Sequence, residues 1–151
     1  MEDATSVFAL RSNAEINRYL DRKPSASVDD ARNFIQNIMK GIAADTFIYW
    51  VITLTENNAF LGTICLFSFS EEKKQCEIGY ELFPNYHGQG LMKEAAVKII
   101  DYAFRTLNIE KMEANTHKDN ISSTKLLEAL HFKLIGATAE DSPCNTFELT
   151  L

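Results

Sequence analysis

Cys76-Glu77-Ile78-Gly79-Tyr80-Glu81-Leu82-Phe83 runs through Pro84-Asn85-Tyr86 into His87-Gly88-Gln89-Gly90-Leu91-Met92-Lys93-Glu94. The first run is strand-like and Pro84 ends it. Met92, Ala95, Ala96, Ile99, Ile100, Ala103 and Phe104 then recur at helical spacing, which predicts an amphipathic helix from Met92 to Phe104. Between strand and helix stand two glycines two residues apart. The first N–H groups of a helix are unpaired and carry partial positive charge. Glycines let an anion reach them with no Cβ in the way, so a phosphate or pyrophosphate is the natural guest. A plain tight turn gives the same pattern. The pair lacks the third glycine of a dinucleotide-binding fingerprint.

Outward from this junction, the chain alternates helical and extended patterns. Glu2 to Arg11 and Asn13 to Leu20 read as helical pieces, and Asp21 to Ser25 as a loop, because Pro24 disfavours helix at Lys23. Ser27 reads as an N-cap with Asp29 and Asp30 in the first turn. Ala31, Phe34, Ile35, Ile38 and Met39 continue that helix, and Gly41 suits its end. Thr46 to Thr55, Ala59 to Phe69 (interrupted by Gly62) and Gln75 to Phe83 read as three strands of an antiparallel meander. Beyond the glycine helix come a strand at Lys111 to Thr116 and a helix at Ile121 to Leu130, with Leu126, Leu127 and Leu130 inward. Phe132 to Ala137 and Thr146 to Leu151 close the chain as strands. This order predicts one mixed α/β domain over 1–151, an α+β mixed sheet flanked by helices, without a Rossmann rhythm.

Composition narrows the function classes. The chain has 151 residues, a net charge of −6 and a pI of about 5.1, a balance against nucleic acid as the main partner. It is compatible with an amine or other cationic substrate. Cys65, Cys76 and Cys144 have no metal-ligand spacing, so no metal is expected, and free thiols fit a cytoplasmic setting. No apolar run is long enough to cross a membrane, and the start does not read as a signal peptide.

Two motifs, in order, carry a family resemblance. One is Glu77-Ile78-Gly79-Tyr80, then Pro84 to Ala95 through the glycine loop. The other is Asn120-Ile121-Ser122-Ser123, then Leu126-Leu127-Glu128-Ala129-Leu130-His131-Phe132. Together they resemble the GNAT superfamily of acetyl-CoA-dependent N-acetyltransferases. The branch they look most like is the RimJ/RimL type, which acetylates N-terminal amines of ribosomal proteins. Leu10-Arg11-Ser12-Asn13-Ala14-Glu15-Ile16, with Tyr19-Leu20, is similar to that branch's first helix. There are departures. Met92 stands where the superfamily loop ends in Gly or Ala, and His131 replaces a Gly after the last helix. Leu127 occupies the position of the tyrosine that many members use as a proton donor, so that mechanism is excluded there. The branch's first strand has no counterpart in this sequence.

The resemblance implies a cofactor site and a chemistry. The pyrophosphate of CoA would sit on the N–H groups between His87 and Lys93: Gly88, Gln89, Gly90, Leu91 and Met92 make the loop and helix start, and Lys93 adds a point charge or is simply an exposed lysine. The pantetheine arm would pair with the main chain of Tyr80, Glu81 and Leu82. Asn120 would cap its helix, contact the cofactor arm, or both. Ser123 would donate to the CoA sulfur in place of the absent tyrosine, or be an ordinary helix serine. Glu77 and Glu81 share a strand face and are candidate bases for the ammonium, Glu113 a weaker one. His87, which also belongs to the loop expected to hold the cofactor, and His117 are candidate bases or, as the preferred reading, solvated loop residues. Tyr49 and Trp50 either line the acceptor cleft or pack in the core. The expected partners are acetyl-CoA and a primary amine, a protein N-terminus or a small molecule (polyamine, amino sugar, antibiotic), with a homodimer allowed. The rival reading is a GNAT-like module that holds acetyl-CoA without turnover.

Overall fold

The computed structural model describes residues 2–151. The elements in chain order are α1 (Ala4–Ser12), α2 (Ala14–Asn17), α3 (Val28–Ala43), β1 (Ile48–Thr53), β2 (Phe60–Phe67), β3 (Gln75–Leu82), a 3-10 turn (Pro84–Tyr86), α4 (Leu91–Arg105), β4 (Lys111–His117), α5 (Ile121–Ala129), β5 (Lys133–Ala137) and β6 (Cys144–Thr150). The six strands form one mixed sheet in the order β1-β2-β3-β4-β6-β5. The expected meander is there: β1, β2 and β3 pair antiparallel. Only β3 and β4 run parallel, as the intervening α4 crossover requires.

Alternation along the strands places the helices. Consecutive β1 side chains point to opposite faces, and Tyr49 meets Phe34 of α3 while Trp50 meets Tyr102 of α4. Helices α3 and α4 therefore lie on opposite faces of the sheet. Trp50 pairs with Ile64, and Ile64 with Tyr80, so all three share the α4 face. Val51, Thr63 and Glu81 form a row on the other face. The α4 face holds the main core, with Ile64, Ile78, Met92, Ala96, Phe104, Met112, Leu127 and Phe147 packed together. Burying each of these larger side chains contributes roughly 1.5–3 kcal/mol.

Several sequence expectations need correction. The second helical piece stops at Asn17, because the Arg18 and Leu20 N–H groups close tight turns onto Glu15 and Asn17. The third helix runs through Gly41 to Ala43. Gly41 is used for packing: an added Cβ would sit 3.3 Å from Phe47 side-chain atoms. Asp45, at φ 55°, turns the chain. Gly62 does not interrupt β2. A Cβ there would fall 2.0 Å from the Glu81 carbonyl oxygen, so glycine permits the close approach of β2 and β3. His117 is the last residue of β4, not a loop residue, and its ring lies 5.3 Å from that of Tyr19.

Candidate active site

The parallel pair β3 and β4 hydrogen-bonds only over Gln75–Glu77 and Lys111–Glu113, and then separates. Past Glu77 the edge of β3 faces a gap. Lys74 C=O accepts from the Glu110 and Lys111 N–H groups, and Phe83 N–H donates to Leu61 C=O on β2. Main-chain direction alternates along a strand. The main chains of Tyr80 and Leu82 consequently face the gap, while that of Glu81 is turned to Thr63 of β2. This corrects the expectation that all three residues offer main-chain partners to one ligand. The Leu82 carbonyl already has a partner: His87 Nε2 donates to it at 2.8 Å. His87 is exposed in the loop, as expected, and one ring nitrogen ties it to the strand.

Both strands end at the same side of the sheet, and each leads into a helix whose N-terminus flanks the gap. This is where ligands collect in sheets of parallel strands. At the first, Gly88 and Gly90 both have φ 75°, a left-handed conformation that excludes most side chains, and nothing lies within 4 Å of a Cβ built on either. Among the described residues the N–H groups from Gly88 to Lys93 have no hydrogen-bond partner, and the first bond of the helix is Glu94 N–H to Gly90 C=O. The result is an open, left-handed cradle with its donors free, which suits a pyrophosphate. Met92, whose bulk departs from the family pattern, points into the core at 7% exposure and leaves the cradle clear. Leu91 is half-buried against the core and Lys93 is exposed. Gln89 Nε2 donates to Asn85 C=O at 3.3 Å, bracing the loop.

At the second N-terminus, Asn120 caps α5: its Oδ1 accepts from Ser123 N–H at 3.2 Å. That cap fixes Ser123, whose Oγ lies 2.7 Å from Tyr80 Oη. Burial pushes the Tyr80 phenol up to about 12, so it keeps its proton at neutral pH. The phenol is a group that sequence reading missed. The sequence motif points to Tyr80 for its main chain alone, although its side chain points to the face where α5 packs. Leu127, at the family's tyrosine position, is fully buried.

Glu77 and Glu81 lie on the opposite face, together as expected, but differently held. Glu77 Oε1 accepts from Asn115 Nδ2 at 2.7 Å. Thr146 Oγ1 donates to Asn115 Oδ1 at 2.7 Å, which orients that amide. Glu81 is paired with Arg22. Its burial raises the carboxyl pKa, opposed by Arg22 and then Arg11, and the outcome lies above the ordinary value. Sequence reading missed Arg22 and Asn115, because neither has a local signature. Glu113 is drawn off by Lys111 Nζ at 2.9 Å. Tyr49 lies on the sheet face of Glu77 and Glu81, against Phe34, and Trp50 on the other face, against Tyr102. Among the described residues there is no cluster of metal ligands and no helix long and apolar enough to cross a membrane.

A family model described as an acetyltransferase (GNAT) domain matches residues 1–133. The chain belongs to the GNAT acetyltransferases. It is 33% identical over 136 residues to an uncharacterized N-acetyltransferase, p20, of Bacillus licheniformis, covering 90% of this chain and 76% of that one. Among solved structures, a Vibrio cholerae spermidine N-acetyltransferase in complex with CoA and spermine matches with a TM-score of 0.86. The match is 18% identical and covers 99% of this chain and 90% of the other. A ribosomal-protein-S5-alanine acetyltransferase from Vibrio fischeri matches with a TM-score of 0.81 at 19% identity, covering 99% of this chain and 88% of the other. At these identities the structural matches establish the fold. The GNAT fold, the mixed sheet and the assignment as an N-acetyltransferase thus stand together.

Proposed function

We propose that this GNAT enzyme moves the acetyl group of acetyl-CoA to a primary amine, with the reaction centred in the gap between β3 and β4. The observation that carries the reading is that the gap joins two unlike faces. Tyr80 and Ser123 hydroxyls lie on one side, Glu77 and Glu81 carboxylates on the other. The Gly88–Lys93 cradle would hold the pyrophosphate, and the free main-chain groups of Tyr80 would pair with the arm as an added strand. Acetyl-CoA supplies the activated acyl group, and positioning it against the amine is worth several kcal/mol of the barrier.

The chain's own residues then handle protons. Glu77 has one oxygen engaged by Asn115 and the other free to take a proton from the ammonium, directly or through water. The neutral amine nitrogen would bond to the acetyl carbon and the carbon–sulfur bond would break; the sulfur would take the Ser123 proton, while the extra proton on the new amide nitrogen would pass through water to restore the serine hydroxyl. Tyr80, which holds its proton, lies 2.7 Å from Ser123 Oγ; with the phenol as donor, the serine hydrogen would be free for the gap. Glu81, neutralised by Arg22, shapes the acceptor side rather than acting as the free base. The RimJ/RimL resemblance places peptide N-termini first among acceptors to try, with small amines second.

Thiol release measured across a panel of peptide and small-molecule amines tests this reading. Acetyl transfer that falls steeply in Glu77→Gln, with acetyl-CoA binding retained, is the expected result. Acetyl-CoA binding without transfer to any amine would return the chain to a binding module.

A further inference from the structure

The face that carries Glu77 and Glu81 meets the segment between Arg11 and Ser25, and that segment is basic where it reaches the sheet. Arg22 pairs with Glu81, and its Nε donates to Asn17 Oδ1 at 2.8 Å. Its Nη2 is buried with no hydrogen-bond partner among the described residues. Arg11 and Lys23 have no carboxylate within ion-pair distance among those residues. The Arg11 guanidinium instead lies 3.7 Å over the Phe34 ring. Burial, and then the charge of Arg22, push the Arg11 pKa down, so the two guanidinium groups crowd one another. Beside them opens a recess of about 190 Å³ lined by Arg11, Lys23, Pro24, Ser25, Asp30 and Phe34. Asp30 is the recess's own carboxylate, and its Oδ2 is engaged by the Ala26 N–H at 2.8 Å.

Arg22 and Arg11 thus crowd the Glu81 carboxylate, which Arg22 already takes, while Arg11 and Lys23 share the recess with one carboxylate, Asp30, held to the backbone. Like charges gathered at a partly buried site gain from an added anion. A guanidinium placed over an aromatic ring still has N–H groups to offer, whose fork matches carboxylate or phosphate oxygens. The chain's overall acidity does not describe this rim. We infer that the recess is an anion subsite of the acceptor, so that the amine acetylated here also bears a carboxylate or phosphate, held by Arg11 and Lys23. This rests on the reading above that the Glu77 and Glu81 face receives the acceptor. A polyamine finds the wrong sign of charge here.

Matched acceptors test the subsite: a short peptide with a free carboxylate against its amide, glucosamine 6-phosphate against glucosamine, and spermidine as a polycation. At low salt the anionic member of a pair should have a kcat/KM ~10-fold or more above its neutral partner. That ratio should collapse in Arg11→Gln and return in part in Arg11→Lys. The peptide and sugar arms tell carboxylate from phosphate. Equal rates within each pair, a preference for spermidine, or a ratio untouched by Arg11→Gln would overturn the inference. Should no acceptor turn over, the same pairs are titrated calorimetrically into protein saturated with CoA. Arg11-dependent binding of an anionic member would then uphold the subsite while the transfer reading fails. Equal binding, or none, would sink it.

Discussion

Ser123 shows how much a single position draws on its neighbours. Asn120 fixes its backbone and Tyr80 meets its hydroxyl at 2.7 Å, so a common helix serine is held between a cap and a buried phenol. Ser123→Ala should lower kcat by ~100-fold, and Tyr80→Phe by ~10-fold, with acetyl-CoA affinity little changed in both, because the lost groups act on the leaving sulfur. Rates within twofold of wild type in steady-state assays would remove the pair from the mechanism. His131 makes a different residue-scale case. It sits at φ 68° just past α5, where its N–H donates to Glu128 C=O and the Phe132 N–H to Leu127 C=O. That is a left-handed helix end, the place for glycine. His131→Gly should stabilise the protein by about 0.5–1 kcal/mol, read as a higher urea midpoint, since a side chain is strained there. A lower midpoint would contradict the strain. The glycines, Asn120 and Ser123 were legible in the sequence because each leaves a local pattern. Arg22, Asn115 and the Tyr80 phenol were not, since their partners come from other elements and only the fold brings them together.

At the scale of elements, the site depends on two helix N-termini and one incomplete strand pair. Gly90→Glu should reduce acetyl-CoA affinity by ~100-fold or beyond detection. It forces a side chain into a left-handed conformation, about 1–2 kcal/mol uphill, and sets a negative charge where the pyrophosphate would lie. Unchanged affinity in a calorimetric titration would move the cradle elsewhere. The meander, the glycine helix and α5 were readable from periodicity, because burial of one face imposes it. Element ends were less so: α3 runs past Gly41 because Phe47 packs on that glycine, a tertiary contact with no local mark. The separation of β3 from β4 after Glu77 has no sequence signature of its own, since it is an absence of pairing.

For the whole molecule, burial of neutral acids sets a pH limit. Cys65 and Cys76 are pushed up to about 12 from 9.0, and Tyr49 and Tyr80 to about 12 from 10.0, burial being the first cause in each. In the unfolded chain these groups lose protons first, so between pH ~9 and ~12 the unfolded state binds fewer protons and stability falls as pH rises. Their contribution is complete below pH ~8, under the ordinary thiol pKa. Urea midpoints should therefore drop between pH ~8 and ~10.5, and a constant midpoint would mean these side chains are not held away from water. The same sheet that buries them divides the site. Its α4 and α5 face supplies hydroxyls, its α3 face supplies carboxylates, and the gap between β3 and β4 joins the two.

Whether that gap and its glycine cradle hold acetyl-CoA is read by calorimetric titration of acetyl-CoA into the folded chain. Binding at one site in the micromolar range, lost in Gly90→Glu, is expected. No binding by a demonstrably folded sample would contradict it.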